Sequence, residues 1–151
     1  MIIALVCALV VVGLDQLTKF LVYGTASRSI IGNILWFEST LNTGVAFSMF
    51  EGKSALFFVI ALIASAILVF VICSKKILKV KMERISLGLI LGGTIGNAID
   101  RLIFDGVRDF IYLKFINFAI FNIADMAITI GAILFCISVI FLRDRKTNDR
   151  T

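Results

Sequence analysis

The chain alternates between long apolar runs and short polar connections. The first run covers Ile2 to Val22 and is broken only by Asp15 and Lys19. The second extends from Ser54 to Cys73 without a charge. A third begins near Ile85 and ends at Asp100-Arg101, and a fourth covers Ile123 to Leu142 with one acid, Asp125, near its start. Each approaches the roughly 20 residues that an α-helix needs to cross about 30 Å of hydrocarbon. Leu, Ile, Val, Ala, Phe and Gly fill all four, and a helix satisfies its own backbone groups inside lipid. The pattern therefore predicts a membrane all-α architecture in one domain, 1–151, with helices at about 2–22, 54–73, 85–101 and 123–142. Two connections have another texture. Residues 28–50 are rich in β-branched, aromatic and turn residues, with Asn42-Thr43-Gly44 as a turn between extended runs. Residues 107–121 are also extended or interfacial in character, carrying Phe110, Tyr112, Phe115, Phe118 and Phe121. A small β-like cradle between the first two helices, on the outer face, is the expectation.

Composition strengthens this picture. Of 151 residues, 60% are hydrophobic and 17% charged, with a mean hydropathy of +1.07. A soluble domain of this size has too little interior for so much apolar surface. The net charge of +5 is concentrated. Lys75, Lys76, Lys79, Lys81 and Arg84 form one cluster, and Arg143, Arg145, Lys146 and Arg150 another. Basic clusters bordering apolar runs are topology signals. They place both segments, and with four spans both termini, in the cytoplasm, and they argue against nucleic acid as a partner. Histidine is absent, which removes His-based triads and His-ligated metal sites. Cys7, Cys73 and Cys136 lie in or at the ends of apolar runs without a C-x-x-C spacing, and are expected to be free packing residues.

The chemistry must come from acids. A carboxylate within a span costs about 2.5–3.5 kcal/mol at a helix centre, so Asp15, Asp100 and Asp125, with Asp109 beside them, are candidate functional groups. At 1.5 Å per helical residue, Asp15, Asp100 and Asp125 reach the outer level, where Asp109 also lies. Asn97-Ala98-Ile99-Asp100 and Asn122-Ile123-Ala124-Asp125 repeat N-x-x-D, a spacing that puts an amide and a carboxylate on one helix face. Gly92-Gly93-Thr94-Ile95-Gly96 permits close helix approach. Two adjacent carboxylates sharing a proton can activate water and protonate a leaving amine without His, metal or cofactor. The bland alternative pairs the acids with Lys19, Arg101 or Arg108 as structural ion pairs, Asp15–Lys19 at i, i+4 above all. A proton conductor using the same acids, or a Ser48–Lys53 peptidase, is a further alternative. Spacing alone does not choose among the acids.

Five motifs in order resemble the signal peptidase II family, the lipoprotein signal peptidases of bacteria. They are Asp15-Gln16-Leu17-Thr18-Lys19, Asn42-Thr43-Gly44-Val45-Ala46-Phe47-Ser48, Gly92 through Arg101, Val107-Arg108-Asp109-Phe110-Ile111, and Phe121-Asn122-Ile123-Ala124-Asp125. The resemblance implies four transmembrane helices with an outer β-cradle. It implies a membrane aspartic endopeptidase that removes signal peptides from diacylglyceryl-modified prolipoproteins, cutting just before the lipidated cysteine. It assigns Asp109 and Asp125 as the catalytic pair, and Asn42, Gly44, Asn97, Asp100, Arg101, Asn122 and Asp15 as residues holding the substrate or the pocket. It further implies no cofactor or metal, inhibition by globomycin, and a place in the bacterial inner membrane with the site near the outer interface; a monomer is the expectation. Two departures stand out: Ala119 where relatives often carry Pro, and Arg108 where a second Val is common. The 16 residues from Asp109 to Asp125 are compact for the family. The segment from Trp36 to Phe50 is expected to clamp the substrate from above and to move.

Overall fold

The buried positions of the first helix are Ala4, Ala8, Val11, Asp15, Lys19 and Val22, three or four residues apart. That spacing is one helical face. Its lower half is small and apolar and its upper half is charged. The remaining faces carry exposed apolar residues such as Leu9, Phe20 and Leu21, as a lipid-facing surface requires.

The computed structural model describes residues 1–44, 50–74, 77–78 and 80–142. Helix α1 covers Ile2–Val22, α2 Ser54–Cys73, α3 Lys81–Phe104 and α4 Ile123–Ile137, the last continuing as a wider π-helical turn over Ser138–Leu142. All four are long and apolar enough to cross a membrane. The bounds of α1 and α2 match the apolar runs. Helix α3 is longer than expected at both ends. Lys81 to Arg84 form its first turn, where the Glu83 carboxylate accepts from the Val80 backbone N–H at 3.3 Å. Beyond Arg101 it continues to Phe104 and stops where Asp105 turns left-handed, at φ 52°. The three cysteines are free.

Helix α3 is the centre and packs on the other three. Its glycines make this possible. A Cβ on Gly92 would lie 2.7 Å from the Ala8 carbonyl oxygen and 2.7 Å from the Val11 Cβ. A Cβ on Gly93 would collide with the Ala124 carbonyl of α4. Adjacent glycines thus admit α1 on one side and α4 on the other, so that backbones meet without intervening side chains.

The extended connections form one antiparallel sheet in the order β1-β2-β3: β1 Arg28–Ile31, β2 Leu35–Asn42 and β3 Val107–Leu113. Two strands come from the α1–α2 connection, as expected. The third comes from the α3–α4 connection, so the cradle ties the two helical hairpins together. Register places Thr40 opposite Asp109 and Asn42 opposite Val107, with an irregularity between Phe37 and Thr40. Phe37 meets Phe110 edge-to-face at 5.7 Å, and Phe110 packs with Val22 and Ile111. This apolar plug seats the sheet on the end of α1. Residues 45–49, in the segment expected to clamp substrate, lie outside the described residues.

Substituting Gly93 by Val should block the α3–α4 approach. Overpacking of this kind costs about 1–3 kcal/mol or more. The expected outcome is loss of monodisperse protein in detergent, measured by size-exclusion chromatography. A Gly13→Val control, where nothing lies within 4 Å of an added Cβ, should behave as wild type.

Candidate active site

The acids fall into two groups that differ in their partners. Asp15 and Asp100 are fully buried and neutralised. Lys19 Nζ, also fully buried, lies 2.8 Å from Asp15 Oδ2 and 3.2 Å from Asp100 Oδ2. The Arg108 guanidinium pairs with Asp100 Oδ1 at 2.8 Å, and the Arg108 backbone N–H donates to Asp100 Oδ2 at 2.9 Å. Gln16 Nε2 donates to Asp15, Asp100 and the Gly96 carbonyl at 3.1–3.2 Å, and its Oε1 accepts from Arg108 at 2.9 Å. Asp15 Oδ1 accepts the Ala124 backbone N–H at 2.9 Å, at the start of α4. Two carboxylates, an ammonium and a guanidinium thus balance in charge and join α1, α3, β3 and α4.

Asp109 and Asp125 have no cation partner among the described ion pairs. Amides hold them instead. Asn42 Nδ2 donates to Asp109 Oδ2 at 3.1 Å, and Asn122 Nδ2 donates to Asp109 Oδ1 at 2.6 Å. Asn97 Nδ2 donates to Asp125 Oδ1 at 2.8 Å. Asp125 also caps its own helix. Asn122 Oδ1 accepts the Asp125 N–H at 2.9 Å, while Asp125 Oδ2 accepts the Asn122 N–H at 3.1 Å. This reciprocal capping box explains why an amide and an acid stand three residues apart at this helix start. The two groups of acids meet at Asn97. Its Oδ1 accepts from Lys19 Nζ at 3.0 Å and from Asn122 Nδ2 at 3.1 Å, which leaves its amide nitrogen aimed at Asp125.

Both amide-held acids line a cavity of about 580 Å³. Asn42, Asn97, Arg101 and Thr129 supply its remaining polar wall, and Val107, Phe121, Met126 and Ile130 part of its apolar one. The Arg101 guanidinium lies 5.7 Å above the Phe57 ring and donates to the Gly44 carbonyl at 3.4 Å. Asn42 Oδ1 accepts the Gly44 N–H at 3.0 Å, the local turn that Asn42-Thr43-Gly44 predicted. Of the residues singled out in the sequence, Asn42, Asn97, Arg101, Asp109 and Asp125 line the cavity. Asn122 stands directly behind the carboxylates, and Gly44 reaches the cavity through Arg101. Asp15 and Asp100 lie behind the cavity, in the ion cluster. The two N-x-x-D motifs therefore differ. Asn122 and Asp125 act together, whereas Asn97 faces the cavity and Asp100 does not. Sequence reasoning named Lys19 as an ion-pair partner for the acids, Asp15 above all, and quoted Gln16 within the first motif without giving it a role. A long cationic side chain four residues after a buried acid was the available signal.

Asp109 sits on the sheet, outside the helices. Burial, then the neighbouring Asp125 carboxylate, push it up to about 7, against the pull of the Asn42 and Asn122 amides. It therefore titrates close to neutral pH, well above an ordinary carboxyl. Among the described residues, no group of three or more acids and thiols is arranged to hold a metal ion.

These features define a polytopic membrane protein with a paired-carboxylate cavity at one end of its helices. The model of the family Signal peptidase (SPase) II matches residues 7–141, and the chain belongs to that family, which makes it a membrane peptidase. A curated relative, the "Lipoprotein signal peptidase" of Shouchella clausii (strain KSM-K16), is 40% identical over 97% of this chain and 99% of its own length. Two solved structures, each described as "Bacterial membrane enzyme structure by the in meso method", superpose with a TM-score of 0.81 at 33% identity. The first, at 2.3 Å, covers 95% of this chain and 90% of that one; the second, at 1.9 Å, covers 91% and 92%.

Two outcomes are expected. Lys19→Met leaves Asp15 buried without a cation, leaves Asp100 to Arg108 alone and frees Asn97, so unfolding in detergent should show a loss of about 3–5 kcal/mol. Asp109→Asn should stabilise the protein on the alkaline side. A carboxyl raised to about 7 in the folded state stabilises it fully only below the unfolded value, and loses that contribution as pH rises through 7. Thermal unfolding should show the variant ahead of wild type at pH 8.5, with the gap closing towards pH 4.

Proposed function

We propose that the protein is an aspartic endopeptidase that removes the signal peptide from diacylglyceryl-modified bacterial prolipoproteins, cutting immediately before the lipidated cysteine. The observation that carries this reading is the division of the acids. Asp109 and Asp125 face a cavity with amide partners, while the other two intramembrane-level acids are neutralised behind it. A lipoprotein substrate follows the name of the curated relative.

In this reading the two carboxyl groups share one proton, since two close negative charges oppose each other's ionisation. The ionised member takes a proton from a water as the water oxygen attacks the scissile carbonyl carbon. The protonated member gives its proton to the carbonyl oxygen. The tetrahedral diol then collapses: one of its hydroxyls returns a proton to the carboxylate that had protonated the carbonyl oxygen, the C–N bond breaks, and the leaving amine takes the proton that came from water, so that the pair again shares one proton. Asn42, Asn97 and Asn122 hold the carboxyls. Arg101, with the Gly44 turn, contacts the substrate backbone. Asp15 and Asp100 support the pocket from behind. The apolar wall along α4 takes the diacylglyceryl chains and the signal-peptide side, and a globomycin-type cyclic peptide inhibits by occupying the same cavity. No metal or cofactor takes part.

The chain acts as one peptidase domain, a monomer, in the bacterial inner membrane. Both termini are cytoplasmic, as the +6 carried by the 74–84 connection and the C-terminal tail indicates. The carboxylate pair then lies near the outer interface, level with a cysteine held there by its lipid.

Purified protein in detergent should cleave a diacylglyceryl-modified prolipoprotein. Asp109→Asn and Asp125→Asn should each lower the rate by at least about 10³-fold while remaining folded by circular dichroism. Cleavage by either variant at a wild-type rate would remove that residue from the mechanism.

A further inference from the structure

A second cavity, of about 370 Å³, adjoins the first. The two share Asn42, Asp109 and the Phe118–Ile120 segment, so they meet at the Asp109 carboxylate. Their walls differ in origin. The larger cavity is partly built from α3 and α4, through Asn97, Arg101, Asp125, Met126, Thr129 and Ile130. The smaller one has no helical wall. All its lining residues come from 38–42 and 109–120, the sheet and the segment after it. It contains Glu38, Thr40, Tyr112 and Asn117, with the Tyr112 hydroxyl donating to Asn117 Oδ1 at 2.9 Å. Glu38 is half-buried there and makes no ion pair among the described residues.

A peptide cut at Asp109 has to leave this carboxylate in two directions. The lipid-linked and signal-peptide parts are apolar and belong beside the helices. The polypeptide that follows the modified cysteine is water-soluble, and the non-helical cavity is the polar exit open to it. We propose that the Glu38–Tyr112–Asn117 cavity is the subsite for the two or three residues following the lipidated cysteine, and that Glu38 makes it select basic over acidic side chains there. The inference rests on the peptidase reading and adds a charge preference that the reading does not contain. An unpaired carboxylate in a partly enclosed polar cleft attracts a cation and repels an anion across a distance that salt screens only in part.

The test uses two diacylglyceryl-modified substrates, identical except for Lys-Lys or Asp-Asp directly after the modified cysteine. The readout is the ratio of their kcat/KM values within one enzyme preparation, so the active fraction cancels. Wild type should favour the basic substrate by about two- to fivefold, in line with a partly exposed ion pair. The preference should reside mainly in KM and shrink as sodium chloride is raised from 20 to about 500 mM. Glu38→Gln should bring the ratio close to one, Glu38→Lys should invert it, and Glu38→Asp should keep it. A wild-type ratio of one, or a ratio unchanged in Glu38→Gln and Glu38→Lys, overturns the subsite while leaving the peptidase reading intact. Failure of wild type to cut either lipidated substrate overturns the peptidase reading and the subsite with it.

Discussion

The buried ammonium of Lys19 is the interaction on which the rest of the structure depends. It is fully enclosed, within 3.2 Å of two carboxylates and 3.0 Å from the Asn97 side-chain oxygen. An isolated ion at that depth would be very costly, and so would either carboxylate alone. Together with Arg108 they balance, and the balance holds only if α1, α3, β3 and the start of α4 are in place at once. The small-residue contacts of α3 supply close approach along the lower helices. The ion cluster supplies register, because sliding α1 by one turn past α3 separates Lys19 from Asp100 and Asn97. Apolar helix faces in lipid have no comparable means of fixing their relative height.

From this cluster the cavity is built by successive steps. Lys19 fixes the Asn97 oxygen, which fixes the direction of the Asn97 nitrogen, which holds Asp125. The capping box at the start of α4 fixes the same carboxylate from the other side and positions the Asn122 amide against Asp109. Asp109 is brought there by β3, and β3 is held by its pairing with β2, whose Asn42 gives the second amide. The contacts to the carboxylate pair thus come from β2, α3 and the start of α4, and the sheet is as necessary as the helices.

Much of this was legible in the sequence. The bounds of α1 and α2 coincide with the ends of apolar runs, because lipid thickness and charge exclusion set both. Helix α3 was read short because its first turn is basic and reads as connection. The convergence of Asp15, Asp100 and Asp125 at one level followed from helical rise, and that of Asp109 from its place in the connection between the third and fourth spans. Their division did not. It depends on which acid meets Lys19 and Arg108, and that is a matter of helix rotation and strand register, which spacing does not encode. Resemblance to the family chose Asp109 over Asp100, and the geometry separates the two: Asp100 is neutralised by two cations and lines neither of the two cavities. The third strand was harder to see, since Val107–Leu113 is short, interrupts its apolar residues with Arg108 and Asp109, and finds its partner strand some 70 residues away. Glu38 gave no signal, since its setting arises only when β2 and the 117–120 segment come together.

The choice of amides over cations as partners for Asp109 and Asp125 has a chemical consequence. A lysine or arginine bound to either carboxylate would favour its ionised form and remove the shared proton on which the proposed chemistry relies. An asparagine amide donates a hydrogen bond and fixes orientation without adding net charge. Three such amides therefore hold the pair in position while burial and mutual repulsion keep Asp109 near neutrality in its titration, at about 7. The cations the fold needs for its own assembly are placed behind the cavity and spent on Asp15 and Asp100. Lys19 acts on the carboxylate pair by contact only through Asn97, an intermediary that passes on geometry and withholds the direct ion pair. A chain without histidine thus arrives at a group titrating near neutral pH by sorting its carboxylates between cationic and amide partners.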